Sequence, residues 1–345
     1  MDPVAALRRI AFLLERKQAP TYRVKAFRTA AVTLGRLSPD DIEKRSRAGT
    51  LTDLAGIGPK TSAVVTQTLA GRTPDYLADL EPTAGPLVDG GARIREALRG
   101  DLHAHSDWSD GGSPIQEMAV TAVEIGHEYL ALTDHSPRLT VANGLTAERL
   151  EKQLEIVATL DEQLTKHAGG FRLLSGIECD INEDGTLDQT DELLGRVDIV
   201  VASVHSKLRS DPATMTRRML AAIQNPHTDI LGHCTGRLVT GGRGTRPESR
   251  FDAEAVFAAC AEHDVAVEIN SRPERLDPPR RLLRQAVEAG CLFSIDTDSH
   301  APGQLDWQPY GCARAEECGV PVERIVNTWP VQDLLDWAST GKSGH

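Results

Sequence analysis

The segment Asp101 to Asp110, DLHAHSDWSD, carries the densest chemistry in the chain. On a β-strand, side chains alternate with a period of two, so His103 and His105 share a face and can reach one metal ion. A Ser/Asp/Gly loop follows and brings Asp110 to the strand's mouth. Two histidines at this spacing are weak evidence alone, because a strand can bury hydrogen-bonded imidazoles without any metal. The same arrangement recurs, however. Apolar, strand-like runs end in Asp134-His135, Glu178, His205, His233, Asn270, and Asp298 with His300. Imidazoles and carboxylates converging from the ends of successive strands predict a shared metal centre.

The elements between these runs have helical periodicity. Helices are expected over 114–125, 147–167, 212–224, 253–263, 280–289 and 321–338. Strand and helix in alternation predict a barrel-like α/β domain with parallel strands, whose working residues lie at the strands' C-terminal ends. Earlier in the chain, 3–17, 22–37 and a helix opening at Pro39 behind Ser38 read as a small all-α unit. Arg23, Lys25 and Arg28 are expected on the face away from Phe27 and Leu34.

Within LTDLAGIGPKTSAVVTQTL, a short apolar helix, a Gly56-Ile57-Gly58 hairpin and a second helix from Pro59 form a recognisable unit. The glycines permit close backbone approach. The free N–H groups of the second helix, with Lys60 beside them, offer a phosphate seat. This pattern looks like a helix-hairpin-helix, a backbone-directed DNA binder. Gly56, Gly58, Lys60, Arg23 and Lys25 are the expected nucleic-acid contacts. Residues 1–72 form this domain, 73–100 a Pro/Gly-rich linker or docking segment, and 101–345 the α/β domain.

Charge divides along the same line. The net charge is -12, yet residues 1–72 hold 13 Lys+Arg against 6 Asp+Glu, leaving 25 against 44 in the remainder. A basic module thus precedes an acidic one, and clustered carboxylates in the second suit multivalent cations. The six cysteines lack CxxC pairing and read as reduced core residues. No run of about 18 apolar residues is present, so a soluble, cytoplasmic protein with no membrane partner is expected. Oligomeric state is not encoded in any motif.

Taken together, DLHAHSDWSDG, LTDH, GIECDI, SVHS, GHCTGR, EIN and DTDSH resemble the PHP (polymerase and histidinol phosphatase) family over 101 to about 339. Residues 1 to about 80 are similar to the N-terminal helical domain of bacterial family X DNA polymerases. The resemblance implies a distorted seven-stranded (β/α) barrel binding up to three divalent ions, Zn, Mn or Fe, through nine residues. All nine positions are filled: His103, His105, Asp110, His135, Glu178, His205, His233, Asp298 and His300. By similarity, His103, His105, Glu178 and Asp298 hold one ion. Glu178 bridges to a second, held by His205 and His233, and Asp110, His135 and His300 hold a third. A hydroxide bridging two ions would attack phosphorus. Glu178, Asp298 and Arg237, which resembles the family's phosphate-contacting arginine, are the expected catalytic residues. Asp101 and Asp134 flank the ligands, where orienting an imidazole and closing a strand-end hydrogen bond fit equally well.

Departures from the pattern narrow the expectation. Residues 73–100 are too few for a polymerase palm, so no polymerase activity is expected. Val64 stands where lyase-active members carry an amine, and Cys234 where related sequences have proline. The expected function is hydrolysis of nucleic-acid phosphoesters, of 3′-end exonuclease or repair type. The alternative is a small-molecule phosphatase such as histidinol-phosphate phosphatase.

Overall fold

The computed structural model describes residues 1–242 and 244–340. Its contacts divide the chain into two units, Met1–Pro86 and Leu87 onward. The boundary falls inside the expected linker, because Leu77 and Leu80 are buried in the helical core while Ile94 and Leu98 join the barrel's. Of the α/β domain drawn to 345, residues 341–345 lie outside the described residues. No described helix is long and apolar enough to cross a membrane.

In the first unit, α1 (Pro3–Arg16) starts where Asp2 accepts hydrogen bonds from the amides of Val4 and Ala5. It buries Leu7, Ile10 and Leu14 against Phe27, Ala30 and Leu34 of α2 (Thr21–Gly35). Arg28 does not join a solvated basic face. Its guanidinium lies 2.6 Å from Glu15, with both side chains largely buried, tying α2 to α1. After α3 (Pro39–Ala48), capped by Ser38, the expected short apolar helix is a single 3-10 turn, Leu51–Asp53. The hairpin leads into α4 (Pro59–Leu69) and α5 (Asp75–Leu80). Gly56 has φ +86°, and a Cβ there would lie 2.5 Å from Thr29 Cγ2, so helix packing as well as backbone conformation requires glycine.

The second unit opens with α6 (Ala92–Ala97) and contains seven parallel strands ordered as in the sequence. These are β1 (Gly100–Ala104), β2 (Tyr129–Leu132), β3 (Arg172–Asp180), β4 (Ile199–Ser203), β5 (Ile230–Leu231), β6 (Ala266–Asn270) and β7 (Phe293–Asp296). Nearly every strand residue is buried, as expected where helices cover a parallel sheet. The connecting helices are α7 (Ile115–Glu124), α8 (Ala147–His167), α9 (Asp191–Leu194), α10 (Pro212–Ile223), α11 (Ala253–Glu262) and α12 (Arg280–Glu288). Long β3 pairs with β2 through its first half and with β4 through its second. This step lifts Glu178 to the mouth.

The ring closes imperfectly. β1 and β7 meet through an Ala104–Ser299 bridge, and His105 N donates to Ser299 O at 2.8 Å. Below that bridge, side chains complete the seam. Asn327 donates to the carbonyls of Ile295 and Gly100, and Gln308, which opens α13 (Gln308–Glu317), donates to the same two. The expected helix over 321–338 is broken into two 3-10 turns and α14 (Val331–Ser339). Asn327 sits at the kink, turned into the barrel wall, and Pro330 precedes the final helix.

Candidate metal centre

Each candidate ligand leaves the C-terminal end of a strand. His103 lies on β1, His105 just past it, His135 beyond β2, Glu178 on β3, His205 beyond β4, His233 beyond β5, and Asp298 with His300 beyond β7. Asp110 returns on the loop after β1. Glu178 is the hub and is fully buried. Its Oε2 lies 3.3 Å from His103 Nε2, 3.5 Å from His105 Nε2 and 2.8 Å from His135 Nδ1. Its Oε1 lies 3.1 Å from His205 Nε2 and 2.8 Å from His233 Nε2.

Three sets of donor atoms gather within 4.8 Å of one another: His105, Asp110, His135 and His300; His103, His105 and Asp298; His135, Glu178 and His205. The sets overlap, so His105 and His135 each face two positions. His103 Nε2, both nitrogens of His105 and of His205, His135 Nδ1 and Glu178 Oε2 are buried without a hydrogen bond. Polar atoms left this way are costly unless a ligand takes them up. Imidazole lone pairs and carboxylates converging on common space suit borderline divalent ions, so this donor set fits the metals that the resemblance implies.

Electrostatics point the same way. Burial, reinforced by His300 and His135, holds the His105 imidazole down to about 3, so it is a neutral donor with both nitrogens unbonded. Burial disfavours charge on His205 too, but Glu178 and Asp180 outweigh it and push that group up to about 9. For Glu178 burial is again opposed, here by His205, His103 and His135, which keep the carboxyl well below the usual carboxylate range. Asp298 is held low against its burial by Arg275 and by His105.

Supporting groups fix the rings, and several were not evident in the sequence. Glu268 lies 2.6 Å from His103 Nδ1 and accepts a hydrogen bond from His233 N at 2.5 Å. It precedes Asn270 by two on β6 and so shares its inward face, a period-two signal that could have identified it. Asp180 Oδ1 lies 3.4 Å from His205 Nδ1. Asp298, at φ +50°, is gripped by Arg275 Nε at 3.0 Å, and Asn270 Nδ2 donates to it at 3.3 Å. Neither Asp101 nor Asp134 bonds an imidazole. Asp101 accepts from Thr297 and the His103 amide, closing the seam, while Asp134 accepts from Ser106, Ser109 and Gln153, anchoring the Asp110 loop.

The Arg237 guanidinium donates to the carbonyls of Arg275 and Leu276 and lies 3.6 Å from Glu248. Four other arginines line the mouth, a cavity of ≈ 470 Å³ bordered by Arg209, Arg246, Arg272 and Arg275 together with His135, His205 and His300. Arg272 and Arg275 also brace Asp298, whereas Arg209 is exposed at the rim. Cys234 is buried behind the centre, with its Sγ 3.9 Å from Asp277.

In the helical unit, Arg23, Gly56, Gly58 and Lys60 border one groove of ≈ 460 Å³ with Tyr22, Phe27 and Tyr76. Lys25 is exposed but does not border it, since two residues along a helix turn the side chain about 200° away.

Comparison with known proteins agrees with this division. Residues 101–272 match the PHP domain and residues 1–74 a helix-hairpin-helix domain. The "DNA polymerase/3′-5′ exonuclease PolX" of Bacillus subtilis is 38% identical over 237 residues, covering 69% of this chain but only 40% of that protein's length. A "Probable phosphatase" of Shewanella loihica is 28% identical over 254 residues, 71% of this chain and 95% of that one. Among solved structures, histidinol phosphate phosphatase of Lactococcus lactis, complexed with zinc, L-histidinol and phosphate, aligns with 19% identity and a TM-score of 0.47 over 64% of this chain and 94% of that one. The chain thus carries a PHP domain preceded by a helix-hairpin-helix domain.

Proposed function

We propose that the chain is a metal-dependent phosphoesterase that hydrolyses DNA from its ends, of 3′-exonuclease or repair type. The observation that carries the hydrolase reading is the buried Glu178 carboxylate ringed by five imidazoles, each with at least one buried nitrogen that finds no hydrogen bond. His103, His105, Asp110, His135, Glu178, His205, His233, Asp298 and His300 would hold up to three divalent ions, Zn, Mn or Fe. Such ions supply a nucleophilic hydroxide at neutral pH and offset charge developing on phosphoryl oxygens.

The chain's own groups do the rest. Glu268 holds His103 in one ring orientation, as outer partners of ligating imidazoles commonly do, and Asp180 accepts from the His205 amide. Arg275 and Arg272 keep the Asp298 carboxylate turned into the centre. The arginines of the mouth attract a phosphate toward this acidic cluster and limit repulsion between the two.

DNA as substrate is supported by the helix-hairpin-helix domain, by the basic groove of Arg23 and Lys60, and by the similarity to the Bacillus subtilis exonuclease. Binding there is directed to the backbone, without sequence preference. A second reading, a small-molecule phosphomonoesterase acting on a substrate such as histidinol phosphate, is favoured by the phosphatase relative that matches over 95% of its own length. A side-by-side assay with Zn, Mn or Fe on 3′-labelled single- and double-stranded DNA and on histidinol phosphate separates the two. Nucleotide release that disappears in Glu178→Gln is expected. Turnover of histidinol phosphate alone would overturn the DNA reading.

A further inference from the structure

The mouth has an apolar side that phosphate chemistry does not need. Leu139, Val141, Ala142, Val204 and Leu238 border the same cavity as the four arginines and the imidazoles. Val141 is 92% exposed, an unusual place for a branched aliphatic side chain. Val239, beside Leu238, is also exposed among the large hydrophobics.

The segment presenting Val141 is tied down on every side. Leu145 N donates to His135 O at 2.7 Å, so the loop is pinned directly to a candidate ligand. The Arg149 guanidinium donates to the carbonyls of Asn143, Gly144 and Trp108. Asn143 Nδ2 adds a bond of 3.1 Å to Trp108 O, coupling this segment to the loop that carries Asp110. A Cβ on Gly144 would lie 1.8 Å from Ser136 O, so the backbone passes too close for any side chain. Val141 is therefore held at a fixed point on the rim, over a buried Ala142. Holding an apolar side chain in water costs free energy that covering it would return.

We infer that the Leu139–Val141–Ala142 edge is a nucleobase subsite, which takes the base of the terminal nucleotide while the arginine side of the cavity takes phosphate. The inference rests on the DNA-hydrolase reading and adds what part of the substrate the site distinguishes. Its occupant must be anionic and must also carry a flat, weakly polar body beside the phosphate. A nucleotide meets both demands. An amine-bearing phosphomonoester such as histidinol phosphate would bring a cation toward four arginines. Apolar contact with a base face is tolerant of sequence, because every base offers one, which suits an enzyme that digests ends without preference.

The test compares single-stranded oligonucleotides with a normal or an abasic 3′-terminal residue, using the metal-loaded full chain. Wild type is expected to favour the normal end by about tenfold in kcat/KM, the order of effect that covering a valine-sized surface supplies. Val141→Ser should narrow that preference to under about twofold, and Val141→Tyr should widen it by offering a larger stacking face. Equal rates on both ends in wild type, or a preference that neither substitution moves, would overturn the subsite and leave the hydrolase reading standing. Absence of DNA hydrolysis from any 3′ end, with the small phosphomonoester turned over, would remove the DNA reading and the subsite with it.

Discussion

Two buried polar clusters lie on the inward side of β1, and they behave in opposite ways. The lower one is the seam with β7. There Asp101 accepts from Thr297 and the His103 amide, Asp296 accepts from Leu102 N, and Asn327 and Gln308 bond the strand carbonyls. The upper one is the Glu178 centre, where the imidazoles face one another with several nitrogens unbonded. Asp101 and His103 alternate on β1 and His105 follows just past it, all three buried, so position and burial do not separate the two clusters. What separates them is where the partners are. Backbone groups of the barrel satisfy most of the seam, which makes it architecture, whereas the centre is complete only with something added.

The largest effect should come from the hub. Glu178→Gln removes the charge that five imidazoles share and is expected to lower phosphoester hydrolysis by roughly a thousandfold or more, with bound metal falling in parallel by elemental analysis. A folded variant with full metal content and activity would break the distinction at its centre. On the seam the readout should be stability. Asn327→Ala deletes the acceptor for Ile295 N and the donor to Ile295 O, and is expected to cost roughly 3 kcal/mol in urea denaturation. Glu268→Gln lies between the clusters. It leaves His103 one acceptor but places an amide against His233 N, so metal affinity should fall about 10- to 100-fold by competition with a chelator.

The sequence exposed the centre more fully than the seam for a physical reason. The candidate ligands sit at strand ends, and strand alternation writes that placement locally, so HxH and the later candidates could be read one run at a time. The seam's partners are remote in sequence: Asn327 meets Gly100 and Ile295, and nothing in the spacing around 327 announces it. The expected helix over 321–338 failed for a local reason: Pro330 lacks an amide hydrogen and cannot continue a preceding helix, so the final helix runs only over Val331–Ser339. α13 was not anticipated at all. For Arg237, position in a motif does not reveal that the carbonyls of Arg275 and Leu276 each take one of its donors.

A pH titration sharpens the comparison further, with a smaller effect. Burial drives the Asp296 carboxyl well above its usual range, and Asp101 and Glu268 add to this, while Asp101 itself is raised by burial to about 6. Both carboxyls therefore retain protons in the folded chain at pH values where the unfolded chain has released them. Stability from such groups is present at low pH and is lost as pH rises. Asparagine at 296 imitates the protonated acid and has no proton to lose. The stability difference between Asp296→Asn and wild type should thus grow in the variant's favour as pH rises above the usual carboxylate range, by at most about 1.4 kcal/mol per unit. Paired thermal melts measure it, and taking the difference cancels what the metal centre contributes to both proteins. A gap that stays level over this interval would mean that Asp296 is ionised in the folded chain, and the seam would then be a charged site resembling the centre above it.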